Sequence, residues 1–489
     1  MKKPTLFLSL IPIIVLVTVL AVGVQIFGED VTSGPSQIAL LLAATTTCLI
    51  GVYKLKIPWE KFEESMGENL SKTSSSIYIL LMIGALTSTW MLSGVVPTMI
   101  YYGLKIIHPS VFMVVTFLLC AIVSLLVGSS WTTVGTIGIA MLSAGQIIGL
   151  PIGWLAGAII SGAYLGDKIS PLSDTTNLSA SIAGVPLYVH VKYMLITTIP
   201  ALIICLIVYG IAGLMIPVSS NVVIDSQITA LEGTFNISLW LLLIPCATIF
   251  MIIKKVSPFL TLFLSAFVGG IVAFWAQPQI IEQISTASTG VGSFFFTFLK
   301  MMSSEINIET GDALINNLAS TNGMAGMVNT VWIILCVVAL GGALNASGMI
   351  QLITEKMIRF MKNAASLVAS TVVTCIFCNI VLADQYMSIL LPGKMFAETY
   401  RKKGYAPELL SRTLEDAGTV SSVMVPWNTC AVVQAGVLGV ATMTYFPYAI
   451  FCFITPIIAI VIAAMGYKIH RIPIVPEEKG TISAAIIEN

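Results

Sequence analysis

The chain has 489 residues, 57% of them hydrophobic and only 9% charged, with 23 Lys plus Arg balanced by 23 Asp plus Glu. That balance leaves no basic surface for nucleic acid, and repeated apolar runs of about twenty residues, the length a helix needs to cross a bilayer, describe an all-α polytopic membrane protein. No H-E-x-x-H helix, no nucleophile motif with a matching base and no nucleotide-binding loop is found, so an enzyme or an ATP-driven pump is not expected and no cofactor is called for.

In chain order, Lys2 and Lys3 precede an apolar stretch from Thr5 to Phe27 that is too long for a signal-peptide core and lacks a small-residue cleavage site, so it reads as a retained first transmembrane helix. Apolar segments then recur through 36–52, 76–104, 111–127, 131–149, 151–166, 192–216, 237–253 and 257–276, and after a gap through 325–349, 365–383, 386–400, 405–424 and 444–466. About 11–14 membrane segments are expected. Those at 131–149 and 386–400 are short or interrupted by Gly and Pro, which suits broken or re-entrant helices. The polar connection between Gln277 and Asn329 is expected to hold an amphipathic or partly re-entrant piece at "GSFFFTFLKMM", and the tail from His470 reads as short and polar. Nine cysteines lie almost all within apolar helices and read as small buried hydrophobes. Cys375 and Cys378 form a C-x-x-C pair only superficially, because no second Cys or His cluster supplies metal-ligand spacing.

An offset of 254 residues lays "IYILLMIGALTSTWMLSG" (77–94) on "VWIILCVVALGGALNASG" (331–348), Ser130 on Asp384 and Met141 on Met395. A later shift of three aligns Ser170 with Ser421 and Asn177 with Asn428, so the chain reads as two repeats. Lys356, Arg359, Lys362, Arg401, Lys402, Lys403 and Arg412 cluster around second-half loops whose first-half equivalents carry little beyond Lys105, while Lys54, Lys56, Lys61 and Lys72 mark the loop before the first repeat. By the positive-inside bias the repeats are inverted. The expected division is residues 1–35 as the N-terminal helix, 36–216 as the first repeat, 217–256 as a connecting loop and helix, 257–443 as the second repeat, and 444–489 as the last helix and tail.

The densest polar run, "GAYLGDKISPLSDTTNLSASIAGV" (162–185), lies between apolar helices. An ionisable group at membrane depth is costly unless paired, hydrated or coordinated, which makes Asp167 and Asp174 functional candidates, whereas Lys168 reads first as a snorkelling interfacial residue. Asp167 also has blander readings as a helix cap or as the partner of Lys168. Gly153, Gly157, Gly162 and Gly166 form a small-residue stripe for close helix approach. Pro171 stops the helix, and Ser173 or Asp174 is placed to cap a new one near Thr175. The unwound link is therefore expected to line a wet cavity. Its oxygens, on Ser170, Asp174, Thr175, Thr176 and Asn177, suit a small hard cation, although the free N–H groups of the new helix could equally hold an anionic substrate group.

The second half repeats the device. "LEDAGTVSSVMVPWNTC" offers Ser421 and Ser422, a break at Pro426, then Asn428 and Thr429, while "CNIVLADQYMSILLPGKMF" places Asp384 and Gln385 at a helix end. Glu415 and Asp416 read either as functional or as partners of Arg412 one turn away. His108 and His190 read as interfacial. Burial favours the neutral carboxyl and a bound cation favours the carboxylate, so one buried Asp can exchange a proton for Na⁺; Asp174 and Asp384 are the leading carriers.

"GDKISPLSDTTNLSASIAGV", "LADQYMSILLPGKMF" and "LSRTLEDAGTVSSVMVPWNT" closely resemble the signature segments of the NhaC-type Na⁺/H⁺ antiporter family of the ion-transporter superfamily, over essentially the full chain. The resemblance implies a secondary transporter of the cytoplasmic membrane, two inverted repeats whose broken helices meet at a central site, and a homodimer. It implies Asp167, Asp174, Thr175, Thr176, Asn177, Asp384, Asn428 and Thr429 as functional positions, with Asp174, Thr175, Asn177, Asp384 and Asn428 as Na⁺ ligands. Relatives of this kind exchange malate for lactate or carry amino acids, so an organic cargo is the alternative. The absence of an evident intramembrane arginine clamp favours cations, while Arg412 and Lys394 keep that alternative open.

Overall fold

A computed structural model describes residues 3–27, 34–219, 221–285, 291–308, 315–316, 319–357 and 363–473. Arg359 and Lys362, used above for orientation, lie outside them. Among the described residues the chain is helical, with only two isolated β-bridges and no strand. The helices are α1 (Leu6–Phe27), α2 (Pro35–Leu49), α3 (Trp59–Leu92), α4 (Val95–Ile106), α5 (Phe112–Val127), α6 (Ser130–Thr133), α7 (Ile139–Ile147), α8 (Ile152–Ile169), α9 (Asp174–Ala183), α10 (Leu187–Met215), α11 (Asn221–Thr234), α12 (Leu243–Ile253), α13 (Pro258–Ala276), α14 (Pro278–Ile284), α15 (Val291–Ser303), α16 (Val328–Ala346), α17 (Met349–Met357), α18 (Ala364–Val381), α19 (Gln385–Lys402), α20 (Pro407–Leu414), α21 (Thr429–Leu438), α22 (Thr442–Tyr445) and α23 (Ile450–Ala464). Eight helices among the described residues are long and apolar enough to cross a membrane, or ten if two sharply bent pairs, at 224–253 and 429–448, each count as one span. That is fewer than the about 11–14 expected from the sequence.

Outward faces are apolar where lipid would lie. On α10, Ile199, Ile203, Ile207 and Ile211 recur every four residues and are about half exposed, whereas Thr197, Ala201, Cys205 and Tyr209, offset from them by two residues, are buried. A helix with an apolar outer face and a small or polar inner one is solvated by lipid and packed against protein. The glycine stripe performs that packing: a Cβ on Gly162 or Gly166 would collide with the α5 backbone at Phe117 and Ala121, and one on Gly153 or Gly157 would meet Thr444 and Tyr448. α15 is amphipathic as expected, with Phe295, Phe296 and Leu299 exposed and Phe298, Met301 and Met302 buried.

The repeat is visible as a repeated series of breaks. α3 and α16 each end at a Ser-Gly pair whose glycine is left-handed, Gly94 and Gly348, an offset of 254. From α5 onward the offset is 255. Ser124 Oγ donates to the Ala163 carbonyl at 2.6 Å, and Asn379 Nδ2 donates to the Gly418 carbonyl at 2.8 Å. Left-handed Gly128 corresponds to Ala383, cap residue Ser129 to Asp384, Ser173 to Asn428, Gly184 to Gly439, and Pro186 to Ala441, each 255 apart. The pairings Ser130/Asp384, Ser170/Ser421 and Asn177/Asn428 are therefore replaced by Ser129/Asp384, Ser170/Val425 and Ser173/Asn428. Matching side-chain identity had hidden one inserted residue, which the helix breaks expose. Since α10 and α22 start at equivalent positions, the second unit runs on to Ala464, past residue 443.

Two interruptions differ from expectation. The 131–149 segment is one helical run through a π-helical turn, Val134–Gly138, joining α6 to α7. α19 continues through Pro392. Proline removes the bond to the Ser388 carbonyl, and that carbonyl faces Gly418, where the missing Cβ leaves room for it.

Candidate functional site

α8 and α9 are separated by the non-helical link Ser170–Ser173. Proline cannot extend the helical ladder, and the link is anchored where Ser170 Oγ donates to the Leu125 carbonyl at 2.8 Å. The equivalent link, Val425–Asn428, is anchored by Trp427 Nε1 on the Ile380 carbonyl at 2.7 Å, and 380 is again 125 plus 255. Thr429 N–H then donates to the Ala383 carbonyl at 2.9 Å, which binds the start of α21 to the break before α19. Four broken backbone segments thus converge.

They enclose a cavity of about 820 Å³ lined by Asp167, Ser173, Asp174, Thr175, Asn177, Asp384 and Thr429, together with Ser129, Ser130, Trp131, Gln385 and Tyr386. Asp167 is buried and accepts from both the N–H (3.1 Å) and the Oγ (2.7 Å) of Ser130, at the first turn of α6, where free N–H groups favour an anion. Asp384 caps α19 by accepting from Met387 N–H at 2.9 Å, so it opens that helix rather than closing the one before. Asp174 is the first residue of α9 and lies against Tyr386; it is exposed and Asp384 half-buried, whereas the sequence reading expects buried carboxylates. Asn177 reaches back to the carbonyls of Ser173 and Pro171 at 2.7 and 3.0 Å, holding the link open. Among the described residues no cluster of three or more His, Cys, Asp or Glu could hold a metal ion in the transition-metal manner. The oxygen groups are carboxylates, hydroxyls and amides spread around the cavity, the donor set of a small hard cation that keeps part of its water.

Five candidates do not line the cavity: Ser170, Thr176, Ser421, Ser422 and Asn428. Thr176 donates to the Lys168 carbonyl at 2.9 Å, Ser421 and Ser422 back-bond to the carbonyls of Ala417 and Thr419, and Asn428 caps α21 while donating to Asn379. They build the breaks whose edges the other residues occupy. Sequence reasoning passed over Ser129, Trp131 and Tyr386, of which Ser129 was signalled by its place before a helix start.

Lys168 is not interfacial. Successive residues on a helix diverge by about 100°, so while Asp167 faces the cavity Lys168 points little more than a quarter turn away, fully buried, 2.6 Å from Asp416 and donating to Thr197 and Thr198. Arg412 is also fully buried, its Nε 3.6 Å from Asp416 and its guanidinium stacked on Tyr193. The chain does hold a buried arginine, away from the cavity lining. His190 is fully buried too, because the first turn of α10 packs between α9 and α20.

Two repeats with helix breaks meeting at a polar cavity define a multi-pass membrane protein of the transporter class. Residues 162–467 match the family described as the Na⁺/H⁺ antiporter family. The chain is 35% identical over 437 residues, 89% of its length and 91% of the relative's, to the Na⁺/H⁺ antiporter NhaC of Alkalihalophilus pseudofirmus. It is 33% identical to the malate-2H⁺/Na⁺-lactate antiporter of Bacillus subtilis (88% of this chain, 90% of that one) and 32% identical to the arginine/ornithine antiporter ArcD of Halobacterium salinarum (99% and 96%). The protein belongs to the NhaC-type Na⁺/H⁺ antiporter family.

Proposed function

We propose that the protein exchanges Na⁺ for H⁺ across the cytoplasmic membrane, with Asp167, Asp174 and Asp384 taking Na⁺ or protons in competition and Thr175, Asn177 and Thr429 completing the oxygen set. The observation that carries this reading is the gathering of three carboxylates from both repeats around one cavity at the helix breaks. A carboxylate there holds a cation or a proton, and a loaded site drives one repeat-built unit to move against the other. The inverted relation of the repeats, read from the positive charges, and assembly as a homodimer belong to the same reading. Na⁺ and H⁺ are cargo, and no cofactor takes part.

A second reading is favoured by size. About 820 Å³ falls within the roughly 300–1,000 Å³ of small-molecule sites and far exceeds what one cation needs. Trp131 and Tyr386 would supply apolar faces for an organic acid or amino acid exchanged along with the ions.

Reconstitution with a pH-sensitive dye inside vesicles separates the two. External Na⁺ alone should move the internal pH, and apparent Na⁺ affinity should weaken as pH falls, by up to about tenfold per unit for one competing proton. A response requiring malate, lactate or an amino acid as well would establish the second reading and overturn the first.

A further inference from the structure

Outside the cavity lining lies a second ionisable cluster that the exchange reading does not use. Lys168, Arg412, Glu415 and Asp416 are all fully buried. Asp416 serves both cations, at 2.6 Å to Lys168 and 3.6 Å to Arg412, and also accepts from Thr197 at 2.9 Å. Among the described residues no cation lies within ion-pair distance of Glu415. Its Oε1 accepts from Ser179 at 2.8 Å, while Oε2 makes no well-formed hydrogen bond and has only the Thr419 hydroxyl, one turn further on, beside it. An ionised oxygen buried with so little to donate to it is costly, and the same oxygen carrying a proton can donate to the Thr419 hydroxyl. With Glu415 ionised the four groups sum to zero charge, and with Glu415 protonated they carry one positive charge, so the cluster is built to differ by one proton.

Position gives this a mechanical consequence. Glu415 opens the π-helical turn Glu415–Thr419 of the second repeat, and Ser179 belongs to α9 of the first, five residues after Asp174. The other ionisable groups facing Glu415 are Asp167 and Lys168 from α8, Arg412 and Asp416 on its own helix, and Cys375 from α18. α19 meets the turn through Ser388 and Ile389, and α23 contains no charged residue. We infer that Glu415 is a proton-binding site separate from the cavity, and that its bond to Ser179 couples its protonation to α9 and so to the cavity carboxylates.

The coupling half of this inference rests on the exchange reading; the proton site does not. Infrared difference spectra of the purified full chain between acid and alkaline buffer should show a protonated-carboxyl band that Glu415→Gln removes. In vesicles the same variant should still respond to Na⁺ and keep the slope set by competition at the cavity carboxylates, with the pH midpoint of the response displaced. Ser179→Ala keeps the carboxyl and should move the midpoint of the band, which keeps the test open should Glu415→Gln fail to fold. A band unchanged in Glu415→Gln, or a midpoint unmoved in Ser179→Ala, would overturn the inference. Loss of all Na⁺-driven exchange in the parent protein would strike the transport reading alone, because the band is read without transport.

Discussion

The two repeats share a backbone but not a charge pattern. With the offset of 255, Asp167 corresponds to Ser422, Asp174 to Thr429 and Asp384 to Ser129: each cavity carboxylate has a hydroxyl at the equivalent place in the other repeat. The anchoring bonds, by contrast, are retained in kind, with Ser124 on Ala163 matched by Asn379 on Gly418, and Leu125 matched by Ile380 as the carbonyl that holds each link. Equivalent backbone bonds keep four broken ends converging. Unequal side chains decide where charge sits in the space between them, and they allow it to change without rebuilding the fold.

The largest effect should come from the charged members of these pairs. Asp167→Asn and Asp384→Asn keep an oxygen in place and remove the titration, so Na⁺-driven internal pH change should fall on the order of 100-fold, at the upper end of what disrupting a metal site costs. Ser422→Ala and Ser129→Ala should cost about tenfold or less, since they remove a neutral group. Equal losses on the two sides, measured at matched protein density, would mean that the asymmetry carries no function.

The next contrast lies across α8. Asp167 lines the cavity, whereas Lys168 and Asp416 are sealed in protein. Removing one partner of a buried pair strands the other, so Lys168→Met or Asp416→Leu alone should destabilise by about 3–5 kcal/mol, while the double variant, which still strands Arg412, should recover only the part owed to Lys168. Thermal unfolding in detergent, followed by retention of the monodisperse peak, reads this directly. A double variant as unstable as the singles would show that the ion pair itself holds the repeats together.

The residues explain why part of this was legible. Pro171 and Pro426 mark backbone breaks by rule, and small oxygen-bearing residues beside them mark the wet edge, so Asp167, Asp174, Asp384 and Thr429 could be found without coordinates. Register could not: one residue inserted between Gly348 and Asn379 makes side-chain matches such as Asn177 with Asn428 compete with the true pairing. Nor could the buried cluster, because Asp167-Lys168 reads as a local pair until helical geometry turns the two in different directions. His190 looked interfacial for the same reason, that burial depends on which helices cover α10.

A smaller effect is expected where α5 and α8 touch. Gly166→Leu drives a side chain into the α5 backbone and should cost about 1–3 kcal/mol, whereas the same change at Gly103, where a Cβ would meet nothing, should cost far less. Comparable losses at the two glycines in the same unfolding assay would argue that helix propensity, not close approach, sets the penalty.

The finest comparison is between the two caps. Asn428 accepts from Cys430 N–H at 3.0 Å and donates to Asn379 at 3.0 Å, whereas Ser173, its equivalent at the start of α9, makes no capping bond and spends its hydroxyl on Thr175 at 3.1 Å. Asn428→Ala should therefore cost about 1–2 kcal/mol of stability, and Ser173→Ala only a few tenths. Activity should rank the other way, because Ser173 lines the cavity beside Asp167 and Asn428 does not. Ser173→Ala should leave the melting curve in place and weaken the Na⁺ response, whereas Asn428→Ser, which keeps a capping oxygen, should restore much of the stability that alanine loses. If stability and transport move together in both variants, the two breaks are doing one job twice rather than dividing scaffold from site.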